Sequence, residues 1–256
     1  ARAASPPSRR MTAGEDAPVA SEQWLRRGKW DAWYSGTFAP HLANVPAAPD
    51  PGVDTLPWRT CAPTAELTRY VASGRLLRTH RCIELGCGTG ENLVLLAANA
   101  AFVTGIDIVP AATTAAASAL RAAAATNAHA LCADILSLEP AEMQAADGGP
   151  FTFDFVLDVQ TFHCLRQVDA ARAAAVYADL CAPGGTLLML TGNADEPYER
   201  GPERLTEAEV RGAFDGTSLV CESCEAFRFE WTVHYRRQPF DTPPLFWRSL
   251  WRKPVA

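Results

Sequence analysis

The sequence lacks any run approaching the ~18 apolar residues of a membrane-spanning helix, so no helix of that kind anchors the chain in a bilayer. It also lacks an excess of positive charge. Lys and Arg number 23 against 29 Asp and Glu, a net −6, so no overall positive field draws the chain to nucleic acid or anionic lipid. Chemistry on a small molecule is favoured by elimination. A metal or disulfide framework is missing too. The 8 cysteines run from Cys61 to Cys224, several in segments that read as buried strands or tight turns, which points to a reducing compartment such as the cytoplasm. Cys221 and Cys224 form one CxxC, but no second CxxC or close His pair completes a zinc set. Incidental spacing is its plain reading, and redox or metal use the other. What is present, 48% hydrophobic and 20% charged residues, excludes a disordered chain and suits one sizeable core.

Residues 1 to 22 hold Pro6, Pro7 and Pro18, with Arg2, Arg9 and Arg10 and no acid before Glu15. They read as a disordered segment, whose Arg-rich, acid-poor character also suits an organelle transit peptide or a remnant of processing or expression. Residues 23 to 256 read as one domain, with an aromatic arm or lid over 23 to 60 carrying Trp24, Trp30, Trp33, Tyr34, Phe38 and Trp58 around a Pro-rich stretch. A helix is expected over Thr64 to Ser73. After it, strands near Cys82–Leu85, Ala101–Ile106, 128–132, Phe153–Leu157 and Gly185–Leu190 alternate with helical segments near Asn92–Ala98, Ala111–Ala125, 138–145 and 168–181. Such alternation implies a parallel sheet covered on both faces. Near the C-terminus a helix over Thr206–Phe214 precedes a strictly alternating segment, Phe227 to Tyr235, expected as an antiparallel strand. The last apolar residues, Phe246, Trp247, Leu250 and Trp251, stand at helical spacing. They read as an amphipathic surface helix or, more plainly, as a segment packed back onto the sheet or arm.

The chemistry concentrates in Cys82-Ile83-Glu84-Leu85-Gly86-Cys87-Gly88-Thr89-Gly90, a hydrophobic strand that ends in an acid and runs into three glycines at alternate positions. Glycine suits a sharp turn that a ligand must approach closely. A dinucleotide fingerprint would be GxGxxG, but residue 91 is Glu, and a carboxylate beside a helix N-terminus repels a pyrophosphate. The motif argues for a cationic or zwitterionic ligand. Asp107 follows Gly86 by 21 residues, the spacing at which a second-strand acid reaches ribose hydroxyls. Asp134 and Ile135 then set a carboxylate beside an apolar side chain, suited to an adenine.

In order, these segments resemble the class I S-adenosylmethionine-dependent methyltransferases. The resemblance implies a Rossmann-like α/β fold with a mostly parallel seven-stranded sheet, helices on both faces and an antiparallel strand near the C-terminus. It also implies S-adenosyl-L-methionine as cofactor, with Glu84, Gly86 and Gly88 bordering its methionine part, Asp107 holding its ribose, Asp134 and Ile135 contacting its adenine, and Cys87 and Ile108 also among the cofactor-binding residues. A narrower resemblance, over residues 30 to 230, is to the thiopurine, halide/thiol and tellurite-resistance methyltransferase group. It rests on Trp30 and Tyr34, on Pro57-Trp58, on Phe153 to Asp158 with Phe162-His163-Cys164-Leu165, and on Ala182-Pro183-Gly184-Gly185. The sequence departs from that group at Arg59, where Asp is usual, in the Pro-rich insertion from 40 to 56, and at Gln160-Thr161.

Methyl transfer from a sulfonium is an in-line displacement whose thioether leaving group needs no proton, so orientation and exclusion of water dominate. Trp30, Tyr34 and Trp58 read either as a cover attracting the sulfonium or as core packing. Asp158 lies at the carboxyl end of the fourth strand and is expected in cofactor binding and catalysis, with His163 in the same loop as a base for a thiol or as a structural residue. Phe162, His163 and Cys164 are the expected substrate pocket, and Glu91 reads as solvent-facing or helix-capping. The expected acceptor is a small soft nucleophile: thiol, sulfide, halide or metalloid oxyanion. The alternatives are a carboxylate, nitrogen or hydroxyl metabolite, a protein side chain, or a noncatalytic S-adenosylmethionine-binding module. Nucleic acid is not expected, since Val159-Gln160-Thr161-Phe162 stands where a base-methylating enzyme carries [DN]-P-P-[YFW].

Overall fold

The computed structural model describes residues 9–10, 30–35, 56–198, 204–232, 234–237 and 239–255. The expected disordered segment 1–22 lies outside them apart from Arg9–Arg10, which pair in parallel with Met143–Gln144. The Pro-rich insertion from 40 to 55 lies outside them as well.

Seven strands form the central sheet: β1 Arg81–Leu85, β2 Phe102–Asp107, β3 Ala128–Cys132, β4 Phe153–Val159, β5 Cys181–Gly192, β6 Val220–Arg228 and β7 Leu245–Arg252. Their spatial order is β3-β2-β1-β4-β5-β7-β6. The first five pair in parallel, and β7 runs antiparallel between β5 and β6. The helices are α1 Ala65–Ala72, α2 Glu91–Asn99, α3 Pro110–Ala122, α4 Phe162–Leu180 and α5 Glu207–Arg211. The order of connection reverses between β1 and β4, the switch point where open α/β sheets bind ligands at the strands' carboxyl ends. Two apolar layers flank the sheet, one including Ile83, Val156, Tyr177, Trp247 and Trp251, the other Leu67, Leu93, Phe155, Phe246 and Leu250.

Local chemistry sets several boundaries. Thr64 Oγ1 accepts from Leu67 N and caps α1, while Thr206 and Glu209 close a capping box at α5. Helix α4 starts earlier than expected, at Phe162, and bends at Asp169, whose φ of −154° and ψ of 93° are non-helical. Three expectations are corrected. Residues 138–145 are not a helix: Pro140 opens a single 3-10 turn, after which Met143–Gln144 are extended. The antiparallel alternating segment is displaced, because β6 ends at Arg228 and Tyr235–Arg237 form a 3-10 turn. The C-terminal segment at helical spacing is β7, and it is covered on both faces. Trp247 and Trp251 enter one apolar layer while Phe246 and Leu250 enter the other, so apolar residues at i, i+1, i+4 and i+5 imitate a helix.

Candidate functional site

The turn after β1 has a left-handed backbone at Gly86 (φ 70°), Gly88 (φ 51°) and Gly90 (φ 87°). L-residues other than glycine enter that region at a cost of about 1–2 kcal/mol each. A Cβ on Gly90 would lie 2.8 Å from Ala116 Cα, so this glycine also lets α2 start against α3. A Cβ on Gly86 would run into the Thr161 side chain, which shows how closely the loop after β4 approaches the turn.

Carboxylates gather around this turn. Glu84 is buried; its Oε1 accepts from Asn92 Nδ2 at 2.7 Å, and its Oε2 has no partner among the described residues. Burial pushes its pKa well above the ordinary range, with Glu91, Asp158 and Asp107 adding to the rise. Asp107 accepts from Gly88 N and Val109 N, each at 3.0 Å, yet burial still raises it to about 6. Cys87 is buried and donates its N–H to Ile106 O. Ile108 packs with the aromatic cluster described below. At the end of β3, Ala133 N donates to Asp107 O, Asp134 Oδ1 accepts from Leu136 N, and Ile135 is buried. Glu84, Cys87, Asp107, Asp134 and Ile135 therefore stand at the carboxyl ends of three adjacent strands.

The aromatic arm reaches the same place. Residues 30–34 are helical, and the rings of Trp30, Trp33 and Tyr34 lie 5.4, 5.8 and 6.1 Å from that of Trp58. The cluster packs on Ile108, Val109 and Ala112. A Cβ on Gly88 would be 3.5 Å from the Tyr34 hydroxyl, which burial and the nearby Asp107 hold in its neutral form. Arg59, next to Trp58, joins Glu91 in an ion pair of 2.7 Å. Glu91 is thus neither simply solvent-facing nor a cap of its own helix; it ties the arm to the turn. Thr64 N donates to Asn92 Oδ1, a second tie from the following residue of α2.

The loop after β4 differs from expectation. Asp158 is fully buried and caps α4: it accepts from Thr161 N at 3.1 Å, Phe162 N at 2.8 Å and the Tyr177 hydroxyl, while burial raises it to about 7. His163 is also fully buried. Its Nδ1 lies 3.5 Å from Gly192 N, its Nε2 has no partner among the described residues, and burial lowers its pKa to about 3. Phe162 is not a pocket wall: it packs on Tyr177 and Phe214 in the core. Cys164 is half-buried, with Sγ 3.9 Å from Gln160 O. The expected catalytic pair is sealed because α4 begins immediately after β4 and turns these side chains inward.

Open space lies one step further along the sheet edge. Phe229, Tyr235, Pro244, Leu245 and Phe246 form the apolar walls of a cleft, with Gln160, Gly192, Glu196, Arg204 and Thr232 completing its lining. Phe229 and Phe246 stack at 4.7 Å. Gln160 has a φ of +67°, a strained conformation for a residue with a side chain, at the carboxyl end of β4. Sequence reasoning noted Gln160 only as a departure, and Phe229, Tyr235 and Phe246 only as positions in expected elements, and gave none of them a place in an acceptor pocket.

A sheet in this order, with acids and a glycine turn at its switch point, defines the class I methyltransferase fold. Residues 82–185 match the family model described as a methyltransferase domain. No curated protein matches the sequence. Among solved structures, one described as "Conversion of a Disulfide Bond into a Thioacetal Group during Echinomycin Biosynthesis" is 22% identical, with a TM-score of 0.65 over 88% of this chain and 91% of that one. An S-adenosylmethionine-dependent methyltransferase from Methanosarcina mazei is 16% identical, with a TM-score of 0.57 over 73% of this chain and 98% of the other. The magnesium protoporphyrin IX methyltransferase of Synechocystis PCC 6803, with bound S-adenosylmethionine, is 16% identical, with a TM-score of 0.51 over 74% and 76%. At such identities the structural likeness is one of fold. The domain match over residues 82–185 and the shared fold support an S-adenosylmethionine-dependent methyltransferase. No helix of the described residues is long and apolar enough to cross a membrane.

Proposed function

We propose that the chain methylates a small, soft nucleophile that brings its own negative charge: a thiolate, hydrosulfide, halide or metalloid oxyanion. One observation carries this reading. Asp158 and His163, the groups expected to activate an acceptor, are buried and turned inward, so neither offers an accessible base. A nucleophile that is already anionic at neutral pH needs none. A thiol of pKa ~8.5 is a few per cent thiolate there and intrinsically reactive.

The residues present fit the cofactor. The unpartnered Oε2 of buried Glu84 supplies an acceptor for an ammonium group, and four carboxylates around one turn favour a cation over a phosphate. In this reading Glu84, Gly86, Cys87 and Gly88 border the methionine part, Asp107 and Ile108 hold the ribose, and Asp134 and Ile135 meet the adenine. Trp30, Tyr34 and Trp58 cover it, exclude water and present ring faces to positive charge. When bound, the cofactor supplies an electrophilic methyl group on a sulfonium. The cleft beside Gln160 would hold and orient the acceptor, and its lining would need to move no proton.

A second reading, transfer to a carboxylate, is favoured by Arg204 in the cleft lining, since a carboxylate likewise needs no base. S-adenosylhomocysteine release is measured across sulfide, small thiols, a thiopurine, a dialkyl disulfide, iodide, tellurite, arsenite and several carboxylic acids. Turnover confined to soft nucleophiles supports the proposal; turnover confined to carboxylic acids replaces it, and tight cofactor binding with no turnover moves weight to a binding module. His163→Gln is expected to lower turnover by the same factor for a thiol as for iodide. A loss confined to the thiol would restore His163 as a base.

A further inference from the structure

The CxxC motif is unused by the methyl-transfer site, yet the sheet gives it a specific geometry. In a regular strand, residues three apart point to opposite faces. Between Cys221 and Ser223 the β6–β7 register shifts by one residue: Cys221 pairs with Trp251, Ser223 with Leu250 and Cys224 with Ser249. Glu222 is the extra residue of a β-bulge. Cys221 and Cys224 therefore oppose two positions that are only two apart on β7 and share one face. Their burial agrees: Cys224 lies in the apolar layer that contains Trp247 and Trp251, and Cys221 packs against the same layer. A two-residue advance along a strand is about 7 Å, less when twisted. That is at the outer edge of the ~4.4–6.8 Å Cα separation that a disulfide spans.

The two thiols are also chemically unequal. Cys221 is half-buried, and Arg211 Nη1 stands 4.0 Å from its Sγ, while Cys224 is buried. Arg211 Nη2 reaches Cys224 O at 3.4 Å, and its Nε pairs with Glu207. Burial raises both thiols, Cys224 to about 11, and the Arg211 guanidinium offsets part of the rise at each. No group of three or more potential metal ligands occurs among the described residues, which sets a zinc role aside there.

We propose that Cys221 and Cys224 are a redox dithiol, oxidised to an intramolecular disulfide by a small-molecule disulfide of the glutathione type. Cys221 thiolate attacks one sulfur of that disulfide, forming a mixed disulfide and expelling one thiolate. Cys224, on giving up its proton, attacks Cys221 Sγ and expels the second. The small disulfide gains two electrons and two protons to become two thiols, and the protein loses the same.

The full chain is incubated with oxidised glutathione, alkylated, digested with trypsin and mapped by mass spectrometry. Both cysteines fall in one tryptic peptide, residues 212–228, and exposed Cys61 serves as an internal control. The expected result is loss of both alkylation sites from that peptide with a mass lower by two hydrogens, reversed by dithiothreitol, while Cys61 carries glutathione. In Cys224→Ser, glutathione is expected to persist on Cys221. Full alkylation of both residues when Cys61 is modified would overturn the proposal, as would separate glutathione adducts on both.

Discussion

At the scale of single residues, burial has set protonation more than any partner charge has. Asp158 is raised from 3.8 to about 7, so the folded chain keeps a proton that the unfolded chain releases near pH 4. Its contribution to stability is present at low pH and lost as pH rises through 7. His163 is lowered from 6.5 to about 3, so its contribution runs the other way and is lost as pH falls below 6.5. Between pH 4 and 7, Asp158→Asn is therefore expected to make the slope of Tm against pH more positive, and His163→Gln more negative. Unchanged slopes in thermal melts would remove both assignments. Asp107 has both oxygens on backbone N–H groups, of Gly88 in the turn and Val109 after β2, and a carboxylate oxygen can accept a second hydrogen bond. Asp107→Ala is expected to weaken S-adenosylmethionine binding by about tenfold to a hundredfold, the range of a lost charge-assisted hydrogen bond or two. Unchanged calorimetric affinity would refute the ribose contact.

At the scale of elements, the glycine turn joins three pieces of the fold. Gly86 makes room for the loop after β4, Gly88 lies under Tyr34, and Gly90 receives α3. Gly90→Ala combines a left-handed backbone with a Cβ 2.8 Å from the Ala116 backbone. The conformational part alone costs about 1–2 kcal/mol, and the contact adds to it because backbone atoms cannot swing away. The expected outcome is a fall in unfolding free energy of at least that size in urea, with cofactor affinity lowered as α2 shifts. A neutral effect would mean that α2 and α3 separate without cost. The β4–α4 junction shows the opposite economy. Because α4 follows β4 almost directly, Asp158 caps the helix and its neighbours turn inward, leaving Gln160 as the residue of that loop that faces the cleft.

Over the whole molecule, the Arg59–Glu91 ion pair ties the arm to the glycine turn and α2 and is partly shielded from water. It holds Trp58 beside the turn, and neither Arg59 nor Glu91 lines the cleft. Glu91→Gln is expected to raise the KM for S-adenosylmethionine by about tenfold, as for a lost partly buried charged pair, and to leave kcat nearly unchanged. The reversed pair, Arg59→Glu with Glu91→Arg, should recover part of that loss. An equal fall in kcat, with no recovery, would show that the arm organises the chemistry rather than the binding.

Order along the chain was readable wherever the pattern came from local chemistry. The strand-turn-helix alternation, the glycine turn with Glu84 before it and the second-strand Asp107 depend on period, turn geometry and spacing, which sequence carries directly. The C-terminal third was less legible because a strand buried on both faces has no period of two to display, so Phe246, Trp247, Leu250 and Trp251 resembled a helix. Nor does sequence tell an inward His from an outward one. His163 and Asp158 stand in the expected loop, but only the start of α4 directs them into the core and leaves the cleft to Gln160, the segment after β5, the β6–β7 connection and the start of β7. Likewise CxxC spacing alone places two thiols on opposite faces of a strand; the bulge against β7 brings them to one. Sequence by itself determined the layered fold and the carboxylates around the turn, since these follow from local conformation and burial pattern. Tertiary structure decided which polar groups line the cleft, because that depends on pairing register and helix onset between segments far apart in the chain.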